Sequence, residues 1–565
     1  MEKVEYIPNR AQISRSAIQR LHVSMRHLFL RGGYKPLGVS GETMINSMLE
    51  LKPEIYGLIA DSERVELTGL LYIFQRLPIG IETCRYIKLI SREGFEFSEF
   101  EAIVPSKRRR NCYKVDDELM YIEMTRGKSD IFDLLTHLTF MFIESEKIRR
   151  NSLDAKGRKS KSWEVLEDIV QKIENGNDFD EQVGYTYLST ILGRTFMDTV
   201  EACKKFDKDE GVNSLFTIVY YLGLRSMEEF FEDLDREINF SSALREILGH
   251  HIYGEHWANQ IKDYLYENDL LDKEIHIISA NMHSVMNSLF AHKVLNTKAK
   301  AMPLNELAEM LSDGQNKAHR QKVKNYALKN GMVELEDNNG TNINVQIFDC
   351  SQMKEEDLPS ELSGIKNFEN TVLIVMDYAF GQQAYETMDE LLKPYDLEDK
   401  KLNVNIQSVN IMGKAGILEG KKGDIMIPNA HVFEGSADNY PVDNALSISD
   451  FKGSGLKVYE GPMITVLGTS LQNKDILRYF LKSSWKAIGL EMEGAHYQKA
   501  IQSASKIRNS ISPNVVLRYA YYASDNPLET GSTLASGSLG MDGVKPTYEI
   551  TLNMLKGIFK GETIK

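Results

Sequence analysis

The chain has 565 residues, of which 42% are hydrophobic and 26% are charged, as in ordinary globular proteins. This length is too great for one hydrophobic core and predicts two or three domains. Its 81 acidic residues outnumber its 67 Lys and Arg residues, and the formal charge of −14 argues against non-specific binding to nucleic acid or anionic membranes. The four cysteines are widely spaced, and the sequence shows neither a secretory signal nor a long apolar run. These features predict a cytoplasmic protein.

Residues 1–270 are predicted to form a mainly helical domain of unknown role. Apolar residues recur at three- and four-residue spacing in "SRSAIQRLHVSMRHLFL" (14–30). The same period continues through "SDIFDLLTHLTFMFIESEKI" (129–148), where Ser129 and Asp130 are predicted to cap the helix.

A strand-like interlude lies between these helices. The runs "FEAIVPSKRRRNCYKV" (100–115) and "ELMYIEM" (118–124) predict a hairpin around the basic turn 106–111. Two interpretations of that turn stay open: it binds a phosphate-bearing effector, or it is a solvated turn whose charges face water.

From Glu274 the pattern changes to short β-rich runs that alternate with helical stretches. The predicted strands are 275–280, 344–350, 371–379, 404–413, 424–433, 461–469, 487–492 and 514–524. This alternation predicts a layered α/β domain over residues 274–565.

The stretch "GLEMEGAHYQ" (489–498) places two acids where a buried strand ends and a helix begins. Because a desolvated carboxylate needs a partner, a ligand or hydrogen-bond donor is expected there. In an extended strand Glu491 and Glu493 share one face, with Met492 on the other. They are predicted either to meet a ligand together or to cap the following helix.

Four motifs, in order, resemble the nucleoside phosphorylase/nucleosidase superfamily, which cleaves N-glycosidic bonds of nucleosides. They are "VNIMGKAGILEGKKGDIMI" (409–427), "GPMITV" (461–466), "IGLEMEGAHY" (488–497) and "YYASDNPL" (521–528). The S-D-x-P-L form is similar to AMP nucleosidases. The resemblance implies a three-layer, nucleoside-phosphorylase-like domain with a mixed central sheet, whereas residues 1–270 lie outside the resemblance.

The resemblance implies different roles for the acidic residues. Asp525, after a very apolar strand, is the candidate catalytic acid for the departing purine, with Ser524 orienting it, because desolvation favours the protonated form. The alternative is that Ser524 and Asp525 form a turn cap. Glu493 is the candidate ligand of the ribose hydroxyls, Met492 is expected to pack under the sugar or base, and Glu491 is a further candidate ligand.

Two loops complete the predicted substrate site. Gly413, Lys414, Ala415 and Gly416 are expected to form a small-residue turn beside the base and an anion, with Lys414 meeting either a phosphate or solvent. In the first loop, Asn281 and His283 are candidates to position water or contact the 5′ end. The alternative for His283 is a structural role as a hydrogen-bonded histidine at the start of a helix.

The predicted function is therefore cleavage of a purine nucleoside or nucleotide. Hydrolysis is favoured because the first loop, "SANMHSVMN" (279–287), lacks the phosphate-binding arginine usual in phosphorylases. A phosphate-dependent phosphorylase and a non-catalytic nucleotide-sensing or scaffold protein are the alternatives. The chemistry requires no metal or cofactor, although His251 and Glu255 lie four residues apart as metal ligands can. Many members of the resembled family build their sites across a dimer, so this chain is expected to form a homo-oligomer.

Overall fold

The computed structural model describes residues 8–296, 302–362, 368–397, 400–530 and 539–561. The chain divides into two compact units, Met1–His250 with Ser470–Ile476 and His251–Thr469 with Leu477–Lys565. The division precedes the expected one near residue 270, so the helix Ile252–Glu267 belongs to the second unit. Its Trp257 and Ile261 are buried in the same hydrophobic cluster as the second unit's strands, which explains this assignment.

The first unit combines helices with one small sheet. Its helices are α1 (Arg10–Arg31), α2 (Val39–Leu51), α3 (Leu67–Phe74), α4 (Gly127–Asn151), α5 (Lys161–Glu174), α6 (Glu181–Leu192), α7 (Phe196–Phe206), α8 (Leu215–Glu232) and α9 (Ser242–Gly249). Its strands are β1 (Gly33–Tyr34), β2 (Tyr86–Ile90), β3 (Cys112–Lys114), β4 (Leu119–Glu123) and β5 (Glu237–Phe240). They pair in the order β1-β5-β2-β4-β3. Such short strands carry little alternation, so the sequence indicated only the β3–β4 part.

Two local predictions in this unit need correction. The β3–β4 turn falls at residues 115–118, and the basic segment is closed instead by one antiparallel bridge between Ile103 and Cys112. Helix α4 begins at Gly127, in the left-handed region at φ 74°, rather than behind a cap at Ser129 and Asp130.

The second unit is a mixed α/β domain. Its helices are α10 (Ile252–Glu267), α11 (Met282–Leu295), α12 (Leu304–Ser312), α13 (Lys317–Lys329), α14 (Gln383–Leu391), α15 (Lys474–Lys482, which begins in the first unit), α16 (Gly494–Gln502), α17 (Pro527–Thr530) and α18 (Val544–Phe559). Its strands are β6 (Glu274–Ser279), β7 (Met332–Leu335), β8 (Val345–Asp349), β9 (Thr371–Met376), β10 (Tyr395–Leu397), β11 (Lys400–Leu402), β12 (Ile406–Ile417), β13 (Ile425–Phe433), β14 (Asn439–Pro441), β15 (Val458–Thr465), β16 (Gly489–Glu491) and β17 (Val516–Asp525).

In the part of the chain that is described, ten strands form the central sheet in the order β14-β13-β15-β16-β12-β6-β9-β8-β7, with β17 paired to β12 and β13. Pairing is mixed: β6 runs parallel to β9 and β12, whereas β7–β8 and β8–β9 are antiparallel. The neighbours Ile277 and Ile278 belong to different hydrophobic clusters, so both faces of the sheet are buried under helices.

The strand register brings the sequence motifs to one edge. Gly416 of β12 pairs with Asp525 of β17 on one side and with Leu490 of β16 on the other. Strands paired in this way lie about 5 Å apart. Within the described ranges, each helix is too short or too polar to cross a lipid bilayer.

Candidate active site

A cavity of about 170 Å³ opens where several strands of the second unit end. Crevices at the carboxyl ends of parallel strands are common ligand sites in α/β sheets. Its lining residues are Ser279, Tyr378, Ala379, Ile411, Met412, Gly413, Lys414, Glu493, Tyr497 and Tyr521. Three predicted site residues therefore share this cavity: Gly413, Lys414 and Glu493.

Glu493 is fixed at the cavity wall by backbone contacts. It is the N-cap residue of α16, and its Oε1 accepts a 2.8 Å hydrogen bond from the backbone N–H of Gly381. Gly381 adopts a left-handed conformation at φ 54°, which a residue without Cβ takes readily. The loop after β9 thus holds the carboxylate in one orientation.

Glu491 does not share the cavity with Glu493, contrary to the predicted alternation. The strand β16 ends at Glu491, and Glu493 has already turned to helical backbone angles. The buried Glu491 carboxyl accepts hydrogen bonds from the Thr465 hydroxyl and from the N–H groups of Glu493 (2.6 Å) and Gly494. Burial, followed by the charge of Glu493, raises the pKa of Glu491 to about 8. Glu491 is therefore a buried helix cap.

Buried aromatic hydroxyls and one histidine surround the acids. The Tyr497 hydroxyl lies 3.0 Å from Ser279 Oγ, and that of Tyr521 lies 3.1 Å from His431 Nε2. Burial raises the pKa of both tyrosines and lowers that of His431 to about 3. These groups are neutral near pH 7, so they offer hydrogen bonds without adding charge.

Gly413, Lys414, Ala415 and Gly416 do not form the predicted turn. All four lie within β12 and pair with β17, with an irregularity between Ala415 and Gly416. Ala415 and Gly416 are not on the lining of this cavity, and neither is Met492. A Cβ on Gly413 would lie 2.7 Å from the Tyr521 ring, so the glycine permits close packing of that ring.

Asp525 lies near the cavity rather than on its lining. The carboxyl is buried at the end of β17, with Oδ1 2.5 Å from Ser524 Oγ, which also lies 3.0 Å from the Ala415 carbonyl oxygen. Burial lowers the pKa of Lys414, and the charge of Asp525 opposes that shift. Asp525 is thus electrostatically linked to a lysine that faces the cavity.

Lys414 also lines a second, larger cavity of about 1080 Å³. Asn281 and His283 lie on this one, and Asn281 caps α11 by accepting a hydrogen bond from the Ser284 N–H. The Arg320 guanidinium on its wall donates to the carbonyl oxygens of Leu311, Asp313 and Gly314. The predicted first-loop residues therefore lie in a different cavity from Glu493.

Four hydroxyl-bearing residues line the smaller cavity and were not predicted from the sequence: Ser279, Tyr378, Tyr497 and Tyr521. Tyr497 follows Glu493 by four residues, so one helical turn after the motif was a usable signal. Tyr521 lies inside an apolar strand, and nothing in that pattern distinguishes it from a core residue.

The candidate metal pair, His251 and Glu255, lies at the start of α10. His251 begins α10 at φ 59° and packs edge-on against Tyr385 with ring centroids 5.8 Å apart. Among the residues described, three or more His, Cys, Asp or Glu side chains nowhere converge in a metal-binding group.

Comparisons with known proteins give one family and several distant structures. The family described as "Family of unknown function (DUF6909)" matches residues 42–306 and 306–560. No curated protein matches the sequence.

Solved structures match half of the chain. The Campylobacter jejuni 5′-methylthioadenosine/S-adenosylhomocysteine nucleosidase is 12% identical, with 50% of this chain and 97% of that chain covered and a TM-score of 0.31. Futalosine hydrolase of Helicobacter pylori is 15% identical, with coverages of 50% and 97% and a TM-score of 0.29. The Colwellia psychrerythraea nucleosidase in complex with adenine is 12% identical, with coverages of 52% and 98% and a TM-score of 0.29. Similarity at this level does not assign an activity to the chain.

Proposed function

This chain belongs to the DUF6909 family, and we propose that its second unit hydrolyses the N-glycosidic bond of a purine nucleoside or nucleotide. The strand register is the observation that carries this proposal. Gly416 pairs with both Asp525 and Leu490, so the acid at the end of β17 and the start of α16 are separated by one strand. This closeness of the two strand ends supports the proposal that Glu493 and Asp525 act on one substrate.

The division of roles follows from the charge that develops during cleavage. Breaking the bond between a sugar and a base passes through an oxocarbenium-like state. Glu493, held by Gly381, accepts hydrogen bonds from the ribose diol and stabilises the nearby positive charge. Asp525 donates a proton to the five-membered ring of the departing purine.

Water completes the reaction in this proposal. Its oxygen attacks the anomeric carbon as the bond to the base breaks, and the proton it loses restores Asp525 through solvent. The hydrogen bond between Ser524 and Asp525 supports a fixed orientation for the acid. Lys414 faces the same cavity and suits a substrate that carries an anionic group.

Product analysis tests the proposal. Purified protein is incubated with adenosine, inosine, AMP and methylthioadenosine, with and without phosphate, and the products are separated by chromatography. Free base with free sugar, independent of phosphate, is the expected result. Ribose 1-phosphate would identify a phosphorylase. If no substrate is cleaved but one raises the melting temperature, the protein is a nucleotide sensor.

A further inference from the structure

The first unit contains a cluster of arginines that the proposed reaction does not use. Arg76 lies two residues after α3, and Arg108 and Arg110 lie in the basic segment 106–111. Arg108 and Arg110 contact Asp133 of α4, and the charge of Asp133 also acts on Arg76. The sequence left open whether this segment is a solvated turn. The segment is partly solvated: Lys107 and Arg109 are exposed, whereas Arg110 is only 3% exposed and Arg108 is partly buried.

Two acids of α4 hold the segment in place. Arg108 forms a bidentate ion pair with Asp133, in which Nε donates to Oδ2 at 2.9 Å and Nη2 donates to Oδ1 at 3.0 Å. Arg110 contacts Asp130 at 2.7 Å and Asp133 at 2.8 Å. Burial alone would raise the pKa of Asp133, but Arg108 and its neighbours hold it well below the usual range. The Asp133 carboxylate is therefore charged and both of its oxygens accept hydrogen bonds, whereas Oδ2 of Asp130 is buried without a donor among the described residues.

Arg76 is the third arginine of the cluster, which contains two carboxylates, those of Asp130 and Asp133. It stacks over the Tyr72 ring, 3.5 Å from the centroid, and donates to the Tyr72 carbonyl oxygen at 2.8 Å. It has no ion pair within the part of the chain described. Burial lowers its pKa, the charge of Arg108 adds to that shift, and the charges of Tyr72 and Asp133 oppose it. The neighbouring His137 is neutral near pH 7, because burial lowers its pKa to about 3.

The cluster also contains unused hydrogen-bond donors. Arg76 Nε and Arg110 Nη1 are buried and have no acceptor among the described residues. A buried donor without an acceptor is costly, and so is buried positive charge without an anion. The cluster keeps contact with solvent, since the Arg108 and Asp133 side chains are 18% and 12% exposed.

We propose that Arg76, Arg108 and Arg110 form an anion site that binds a phosphate group, either as free phosphate or as part of a phosphorylated metabolite. A guanidinium presents paired N–H donors that match phosphate oxygens, and a phosphate supplies the missing negative charge. Burial lowers the pKa of Arg126, the charge of Asp130 opposes that shift, and the charges of Arg108 and Arg110 add to it.

Thermal shift of the full-length protein tests this site. Inorganic phosphate is titrated against chloride at equal ionic strength, so that general screening is subtracted. The site predicts a saturable rise in melting temperature above the chloride control. A repeat with ribose 5-phosphate distinguishes the sources: tighter binding of this ester indicates a phosphorylated metabolite, and tighter binding of phosphate indicates the free ion.

Variants locate the effect. Arg76→Gln removes the guanidinium that has no carboxylate partner and should weaken phosphate binding about tenfold or more. Arg92→Gln is the matched control, because this more exposed arginine pairs with Glu96 on the surface of the same unit. Lys414→Gln tests binding in the second unit. Retention of the shift in Arg92→Gln and Lys414→Gln, with its loss in Arg76→Gln, supports the site.

Two results would overturn it. One is a wild-type response to phosphate that equals the response to chloride. The other is a shift that Lys414→Gln abolishes and Arg76→Gln keeps. The wild-type titration decides the first without any variant, so the test holds even if Arg76→Gln fails to fold.

Discussion

The backbone N–H of Gly381 donates a 2.8 Å hydrogen bond to Oε1 of Glu493, which ties the loop after β9 to the start of α16. One carboxylate oxygen is thereby fixed by the protein, and the group keeps one orientation at the wall of the cavity. A fixed carboxylate is what stabilisation of developing positive charge requires, because it needs no reorganisation during the reaction.

Glu493→Gln tests this role. The amide oxygen can still accept from Gly381, so the fold and melting temperature should be retained. Because the negative charge is lost, kcat/KM should fall by about 10²–10³. Glu460→Gln, on the exposed part of β15, is the control and should leave turnover unchanged. Equal activity of the two variants would rule out a role for Glu493.

Asp525→Asn tests the proposed acid. The substitution keeps size and buried position but removes the transferable proton, so turnover should fall by about 10²–10⁴ while the melting temperature changes little. Ser524→Ala removes the hydroxyl beside Oδ1 and should have a smaller effect, since the acid itself remains. Steady-state rates on the best substrate provide the measurement. A rate for Asp525→Asn within threefold of wild type would refute the assignment.

Glu491 makes stability depend on pH. Its pKa is about 8 in the folded chain and 4.5 as the ordinary value, so the folded state holds a proton that the unfolded state releases. The stabilisation is fully present below about pH 4.5 and is lost as the pH rises towards 8.

Glu491→Gln imitates the protonated acid and should remove this loss. The free energy of unfolding of the variant relative to wild type should therefore rise between pH 5 and pH 8, by at most about 1.4 kcal/mol per pH unit. Melting temperatures measured across this pH range report the rise. Glu460→Gln again serves as the control. Parallel profiles for wild type and Glu491→Gln would show that Glu491 ionises normally.

Gly413→Ala tests the packing of the cavity. The added methyl group would lie 2.7 Å from the Tyr521 ring, and such overpacking costs about 1–3 kcal/mol. Gly249→Ala is the matched control, because nothing lies within 4 Å of its Cβ position. Thermal unfolding should show a clear loss for the first variant and none for the second. Equal melting temperatures would mean that the ring moves away freely.

The sequence predicted the strand-to-helix position of Glu493 correctly but not the separation of Glu491 from it. Alternation holds only while the chain stays extended, and here β16 ends at Glu491, whose carboxyl accepts from the Glu493 and Gly494 N–H groups. Such a local hydrogen bond competes with the strand and is not visible in spacing. The strand β12 likewise continues through Gly413–Gly416 because β17 pairs with it.

The basic segment shows the same limit. Its charge pattern is typical of a solvated turn, and only the position of Asp130 and Asp133 in α4 makes burial of Arg108 and Arg110 favourable. Those acids lie about 20 residues further along the chain, so sequence spacing cannot identify them as partners.

A crystal structure of the Glu493→Gln variant with adenosine is the most direct test of the account. The impaired variant should hold the substrate intact, with the ribose diol within about 3.2 Å of the side chain at position 493 and the five-membered ring of the purine hydrogen-bonded to Asp525. Electron density for the nucleoside away from these side chains would contradict it, and so would side chains at positions 493 and 525 that face separate cavities.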